Sequence, residues 1–396
     1  MLFYFLSLLG YLLGSISPAY ILGRALKGID IRQHGTKNAG TKNVKKVLGI
    51  WPAVFTGIFD LSKGLLVMLI AQKLGASEII VYASGYAAIL GHIFPFYLKF
   101  RGGEGSATGV AILIFLIIKS ILRGWFPYEI LIPLGVVAFS VLYIARRGEI
   151  VRMVTLPIFA LMLLLKTQIN PTTILITLIL LQLFIFTLYN IKKLHLIHMG
   201  ENAQHILHWR TLLRPFAALF VVAPFYLFKT TVLYVAGSVA SVFIILDLVR
   251  LLIGKVNVHL FNKVPRLLKE KERSQFSSMT FFLTAVFILM LAFPQNIASC
   301  AILFIIFGDL ASKFFGLLYG RQKFLTKTLE GSLAYFAFSF VAGFILSLFL
   351  PIPMWILLLG ALSVAITEPL SIFGIDDNFT VGLISAAVML ALTAMV

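Results

Sequence analysis

The chain has 396 residues, 60% of them hydrophobic and only 12% charged, with a mean hydropathy of +1.01. A soluble domain is about half apolar and a quarter charged, so this composition excludes a soluble protein, and with it a disordered chain or a coiled coil. The single cysteine, Cys300, leaves no intramolecular disulfide and no multi-cysteine zinc site. Lysine and arginine number 33 against 15 aspartate and glutamate, a formal charge of +18. In so apolar a chain that excess marks basic cytoplasmic loops beside anionic lipid, not a nucleic-acid partner.

Apolar runs fall near residues 2–23, 50–72, 79–98, 105–119, 127–145, 152–166 and 171–190. They resume near 214–228, 231–249, 278–293, 297–316, 332–350, 354–370 and 380–396. A bilayer core takes about 20 apolar residues as one helix, so the pattern predicts an all-α, polytopic integral membrane protein. The expectation is about 14 transmembrane helices in two seven-helix bundles. Leu2–Leu22 carries no charge and no basic region precedes it, which reads as a span and not a cleaved signal. The polar stretch Asn190–Arg214 separates the bundles and gives expected domains 1–201 and 202–396. The polar motifs of the two halves differ, so no internal repeat is read. Alternate loops hold 26 of the 33 basic residues, and the opposite loops hold five. The positive-inside bias puts the basic set, and the motif loops with it, in the cytoplasm.

In the first half, the loop Arg24–Gly49 alternates Gly35, Gly40 and Gly49 with Thr36, Asn38, Thr41 and Asn43. Arg32, Lys37, Lys42, Lys45 and Lys46 flank them. Small residues let backbone N–H groups approach an anion, and amides and hydroxyls add donors. Lys45 and Lys46 are read at the mouth of the second span, where a helix N-terminus favours phosphate. The plainer alternative is a basic loop with turn residues. Asp60 and Lys63 lie three apart on one helix face, deep enough that charge is costly unless paired and turned inward. They mark either a site or an ion pair locking two helices. A second glycine-rich segment, Gly91–Gly109, adds His92 and Arg101 on the same membrane face.

These residues resemble the bacterial acyl-phosphate:glycerol-3-phosphate acyltransferases. The shared marks are Gly14-Ser15-Ile16, Asp30 with Arg32, then Gly35, Asn38, Gly40 and Asn43. Asp60, Lys63 and Gly64 follow, then Gly91, His92 and Pro95, and last Gly102, Gly103, Gly105, Ala107 and Thr108. The resemblance covers residues 1–201. It implies a seven-span fold that moves an acyl group from acyl phosphate to glycerol 3-phosphate, making lysophosphatidate without a cofactor. Ser15, Arg32, Lys63, His92 and Asn190 become the catalytic candidates. Gly35, Thr36, Asn38, Gly40, Asn43 and Lys46 become the glycerol-phosphate loop, with Gly102, Gly103, Gly105 and Thr108 as further binding positions. There are departures. Glu104 stands where the family has lysine, Thr187 replaces a histidine, Lys193 replaces an arginine, and Gly200-Glu201 comes about three residues late.

In the second half, Asp309, Glu330, Glu368, Asp376 and Asp377 are all the acids after Glu272. Carboxylates facing Arg321, Lys323 and Lys327 suit a magnesium ion carrying a polyphosphate. An Asp309–Lys313 pair and an Asx turn at Asp376 are the structural alternatives. Gly308-Asp309, Gly316, Gly320-Arg321, then Lys327-Thr328-Leu329-Glu330-Gly331-Ser332, then Glu368, Gly374 and Asp376-Asp377-Asn378 resemble CTP-dependent diacylglycerol, phytol and dolichol kinases. Asp247 and Arg250 fit an earlier motif of that family. The resemblance implies transfer of phosphate from CTP to a lipid alcohol with Mg2+. Asp309, Lys327 and Glu330 would be catalytic, Arg321, Asp377 and Asn378 would bind substrate, and Asp309 and Asp376 would hold the metal.

The sequence therefore reads as a fused phospholipid-biosynthesis enzyme of a bacterial inner membrane, with both sites facing the cytoplasm. Its expected partners are membrane lipids, acyl phosphate, glycerol 3-phosphate and CTP, and no nucleic acid. One rival keeps a single half active, the acyltransferase half being degenerate. Another is a lipid or ion transporter using the intramembrane charges Asp60, Lys63, Asp309 and Lys313.

Overall fold

The computed structural model describes residues 2–194, 196, 214–263, 270–370 and 376–395. The domain boundary at 201/202, Gly200-Glu201, Gly374 and most of the expected linker lie outside the described residues. Among those described, nine helices are long and apolar enough to cross a membrane, and five shorter apolar helices accompany them. Each apolar run of the sequence coincides with one of these helices. The short ones are cut by local chemistry. Pro294, for example, ends the helix Ser278–Ala292 before the next begins at Gln295. Fifteen residues reach only about 22 Å at ~1.5 Å per residue. The only strands are a two-residue hairpin, Lys323–Phe324 against Lys327–Thr328, among the described residues.

The chain divides into two compact units. One comprises Met1–Ile130 and Leu156–Leu194, and the other Leu131–Thr155 and His195–Val396.

The first unit contains α1 (Leu2–Ser15), α2 (Pro18–Lys27), α3 (Thr41–Leu48), α4 (Ile50–Lys73), α5 (Glu78–Ile93), α6 (Ser106–Leu122), the larger part of α8 (Gly148–Lys166) and α9 (Pro171–Lys193). Helices in lipid gain little from apolarity alone and approach most closely where side chains are smallest. The α1–α5 crossing is built that way. A Cβ at Gly10 would strike the Ser84 carbonyl, one at Gly14 the Ala88 carbonyl, and one at Gly91 the Tyr11 carbonyl. At the ends of α5 and α6 away from the glycine loops, Glu78 receives Lys119 at 2.8 Å and Arg123 at 3.2 Å.

The second unit takes in α7 (Leu131–Ala145), whose buried face, including Val137, Ser140 and Val141, packs on the helix Leu329–Ser347. Its core gathers Phe304, Phe340, Leu289, Leu357 and Met389. Asp247 and Arg250 form a buried knot at 2.8 Å, and Asp247 accepts the Ser277 N–H at 2.7 Å. A π-helical turn, Phe304–Gly308, precedes Asp309, and Gly308 lies against the Tyr335 ring.

Gly14→Ala is expected to lower the unfolding temperature of detergent-purified protein, because the added methyl meets backbone that cannot rotate away; overpacking of this kind costs about 1–3 kcal/mol or more. Gly135→Ala, with open space around its Cβ, leaves that temperature unchanged.

Candidate functional site

The site begins with a helix break. Pro18 has no N–H, so the chain leaves α1 after Ser15 and restarts as α2, with the Ser17 hydroxyl capping the Tyr20 N–H. The Tyr97 hydroxyl donates to the Ser15 carbonyl at 3.0 Å and accepts the Ser17 N–H at 3.1 Å. The break leaves the Ile16 carbonyl to accept from Lys63 Nζ at 3.3 Å. Lys63 Nζ also lies 2.9 Å from Asp60 Oδ1 and 2.6 Å from His92 Nδ1. Asp60, Lys63 and His92 are 1%, 2% and 6% exposed, so this is a buried ionic cluster whose charges persist only by facing each other. The Thr108 hydroxyl donates to the Asp60 carbonyl at 2.7 Å and ties α6 to the same point. Ser15 itself is buried, its hydroxyl donating to the Tyr11 carbonyl within α1.

The glycine loop is wrapped around one amide. Asn43 is 1% exposed; its Nδ2 donates to the carbonyls of Ile31, His34 and Asn38, and its Oδ1 accepts the Thr36 N–H at 2.7 Å. Gly35, at φ +62°, is needed there because a Cβ would strike Asn43 Oδ1. Asn38 Nδ2 donates to Glu104 Oε1 at 2.9 Å, joining this loop to the second glycine segment. That segment is pinned to the end of α5 by Gly102 and Gly103 N–H groups donating to the Ile93 and His92 carbonyls. Gly105 takes φ +68° just before α6. At the end of α9, Lys193 donates to the Thr36 carbonyl at 3.3 Å, with Asn190 one turn earlier. Gly40 caps α3, and a Cβ there would sit in ordinary contact with the Asn38 amide. Lys46 is exposed near the end of α3, which Gly49 separates from the start of α4.

Between the loops lies a cavity of about 560 Å³. Arg24, Arg32, Lys37, Lys99 and Arg101 line it, with Asp30 as its one carboxylate. Arg32 builds the wall. Its guanidinium pairs with Asp30 at 2.7 Å and donates to the Leu98 and Arg101 carbonyls at 2.8 and 2.9 Å. The Arg32 hydrogen bond holds the Asp30 carboxyl below the usual carboxylate range. Lys37 (φ +57°), Lys99 (φ +55°) and the neighbouring Phe100 (φ +57°) sit in the left-handed region, an uncommon conformation for side-chain-bearing residues that clusters at functional sites. Of the expected site residues, Arg32 and Gly102 reach the cavity wall. The others described here shape the loops or form the buried cluster behind them. Lys99 was not singled out from the sequence, since a lysine in a basic loop looks like any positive-inside charge. The run Lys99-Phe100-Arg101 directly before Gly102-Gly103 was the available signal.

In the second unit, segments far apart in the chain meet at Lys327. Its ammonium lies 3.5 Å from Glu368 and 3.0 Å from Asp377, and Ser312 donates to Glu368 at 3.0 Å. Burial works against charge on Lys327, but the two carboxylates hold its ammonium above the ordinary lysine value. Arg321 pairs with Glu330 at 3.2 Å and reaches the Tyr143 and Ile144 carbonyls of α7. Asp309 pairs with Lys313. Asp376 caps the helix Asp377–Thr393 through the N–H of Asn378. The acids thus face bases or a helix end, and among the described residues no three metal-capable side chains converge.

Fold and site together define a polytopic membrane protein with a cationic cavity set against a buried ionic cluster. Residues 4–196, just under half of the chain, match the glycerol-3-phosphate acyltransferase family model. A glycerol-3-phosphate acyltransferase of Halalkalibacterium halodurans is 42% identical over 117 residues, 29% of this chain and 57% of that protein. One of Shouchella clausii is 45% identical over 108 residues, 27% and 53% of the respective chains. The chain therefore spans little more than half the length of these curated relatives. A crystal structure of PlsY, an integral membrane glycerol 3-phosphate acyltransferase in its glycerol 3-phosphate form, aligns over 52% of this chain and 98% of its own. Its identity is 23% and its TM-score 0.38. The family-model match lies in the N-terminal half.

Asn43→Ala is expected to destabilise the first unit by about 2–4 kcal/mol, since it strands several buried loop carbonyls and an N–H at once. Thermal unfolding measures the loss, and limited proteolysis should find new cleavage between Ile31 and Gly40.

Proposed function

We propose that the first unit transfers an acyl group from acyl phosphate to glycerol 3-phosphate, releasing lysophosphatidate and inorganic phosphate. The cationic cavity carries this reading. It offers Lys37, Lys99 and Arg101 to a phosphate, while Asn43 and Arg32 hold the loops that present them. The acyl donor is already an activated mixed anhydride, so the protein has mainly to hold two phosphates and aim a hydroxyl. That hydroxyl attacks the acyl carbon, the bond from carbon to the phosphate oxygen breaks, and the phosphate departs. Gly102 stands on the cavity wall and its neighbour Gly103 adjoins the edge of His92, so on this reading the ionic cluster adjoins the reacting end. The family match of residues 4–196 supports the same chemistry. On the basic-loop asymmetry, the cavity faces the cytoplasm.

Inside-out vesicles containing the protein should convert added acyl phosphate and glycerol 3-phosphate to lysophosphatidate, and sealed right-side-out vesicles should not. Lys99→Gln and Arg101→Gln should each raise the KM for glycerol 3-phosphate about tenfold, as expected for one charged hydrogen bond. A normal KM in both variants would move phosphate binding elsewhere.

For the second unit we propose phosphorylation of a lipid alcohol by CTP, with magnesium arriving on the nucleotide. The convergence of Ser312, Lys327, Glu368 and Asp377 from distant segments favours it. Purified protein given CTP and diacylglycerol or another long-chain alcohol should form a lipid phosphate. Lys327→Met should abolish that product and leave acyl transfer intact.

A further inference from the structure

We propose that His92 acts as a neutral imidazole donating a hydrogen bond from Nε2 to the reacting acyl oxygen, and that Lys63 fixes this tautomer. The proposal rests on the acyl-transfer reading above. An ammonium has three N–H donors and no acceptor. Lys63 meets three acceptors, namely Asp60 Oδ1 at 2.9 Å, His92 Nδ1 at 2.6 Å and the Ile16 carbonyl at 3.3 Å. His92 Nδ1 also lies 3.3 Å from Asp60 Oδ1, and with the nearer Lys63 ammonium as donor Nδ1 receives a hydrogen bond and carries no proton. A doubly protonated ring would set a second cation against Lys63, with the Asp60 carboxylate already shared between them and Glu104 engaged by Asn38, so the ring is neutral and its proton sits on Nε2.

That edge has a purpose in the fold. Nε2 makes no hydrogen bond among the described residues, although His92 is only 6% exposed. The atom is not among the buried unpaired ones and so keeps access to solvent, where a partner can reach it. Nε2 faces Gly103: a Cβ there would strike it and would lie 2.9 Å from the Ala39 carbonyl. The donor thus opens on the seam between the two glycine loops, beside the cavity wall at Gly102. With Nε2 protonated, the ring has no lone pair to act as a base. As the acceptor hydroxyl attacks the acyl carbon, its proton passes to an oxygen of the departing phosphate, and His92 keeps its own. Lys63, Asp60 and the Ile16 carbonyl are positioning groups, and the break in α1 exists to supply the last of them.

Two replacements separate donor from base. The amide nitrogen of Gln stands close to the place of Nε2, whereas that of Asn stands close to Nδ1. His92→Gln should keep kcat within about tenfold of wild type, and His92→Asn should lose about a hundredfold or more, the size of effect seen when one oxyanion donor is removed. Matching unfolding temperatures for the two variants keep the comparison clean. Equal, complete loss in both stable variants would overturn the donor role. Nitrogen-15 NMR of histidine-labelled protein reads the tautomer without any turnover, the His92 signals being those missing from His92→Gln. A protonated Nε2 and bare Nδ1 are expected, shifting toward a protonated Nδ1 in Lys63→Met. A protonated Nδ1 in active wild-type protein would defeat the donor role alone. Wild-type protein that makes no lysophosphatidate would defeat the acyl-transfer reading and the donor role with it.

Discussion

The ammonium of Lys63 is buried inside an apolar bundle, and the first unit is organised by what that charge requires. An unpaired charge at such a position costs several kcal/mol, so each of its N–H groups must be met. Asp60 is one turn away on α4, His92 comes from α5, and a carbonyl comes from α1. An intact helix would have used that carbonyl internally. The break at Ile16–Ser17, with Pro18 and the Tyr97 hydroxyl, is how α1 releases it. Non-helical backbone at membrane depth is tolerated where protein surrounds it, and here it has a specific partner. The glycines of the α1–α5 crossing bring the two backbones close enough for this exchange.

From that cluster outward the labour divides. Asn43 and Arg32 spend their hydrogen-bonding capacity inside the protein, holding the two loops in shape and together. Lys37, Lys99 and Arg101 are then presented to the cavity. Concentrating fixed positive charge in a partly enclosed space raises its effect on an anion well above that of the same residues in water. Glu104 fits this division. Its carboxylate binds Asn38 and so closes the seam between the loops, and it is absent from the cavity wall. The charge reversal relative to the family pattern is therefore accommodated as a latch beside the cationic cavity.

Much of this was legible from residue order, and the limits have physical causes. Every apolar run became a helix because twenty-odd lipid-soluble residues have few other choices. Run position was a poorer guide to crossing, since a run bounded by a proline, as Ser278–Ala292 is by Pro294, makes a helix of only 15 residues. That α7 packs within the second unit was invisible, because a helix apolar on all sides does not announce which face it buries. Asp60, Lys63 and His92 were found because charge in a span is rare. Lys99 was missed because its role depends on a left-handed backbone that a lysine does not advertise. Asn43 reads from sequence as a ligand of phosphate, whereas its amide hydrogen-bonds within the loop beside the cationic cavity. Sequence spacing cannot separate those two roles.

In the second unit the same chemistry takes a different form, with Lys327 neutralised by two carboxylates instead of one. Its substrate would have to compete for that lysine, whereas the cavity of the first unit already presents cations to solvent. The central claim is thus that glycerol 3-phosphate binds in the first unit, phosphate outward among the loop cations and hydroxyl inward toward Gly103. A structure of the full chain with glycerol 3-phosphate bound tests this most directly. The account predicts phosphate oxygens within hydrogen-bond distance of Lys37, Lys99 or Arg101, and a free hydroxyl directed at the Gly103–His92 edge. Glycerol 3-phosphate seated on α3 at Lys45 and Lys46, or in the second unit at Lys327, would contradict it.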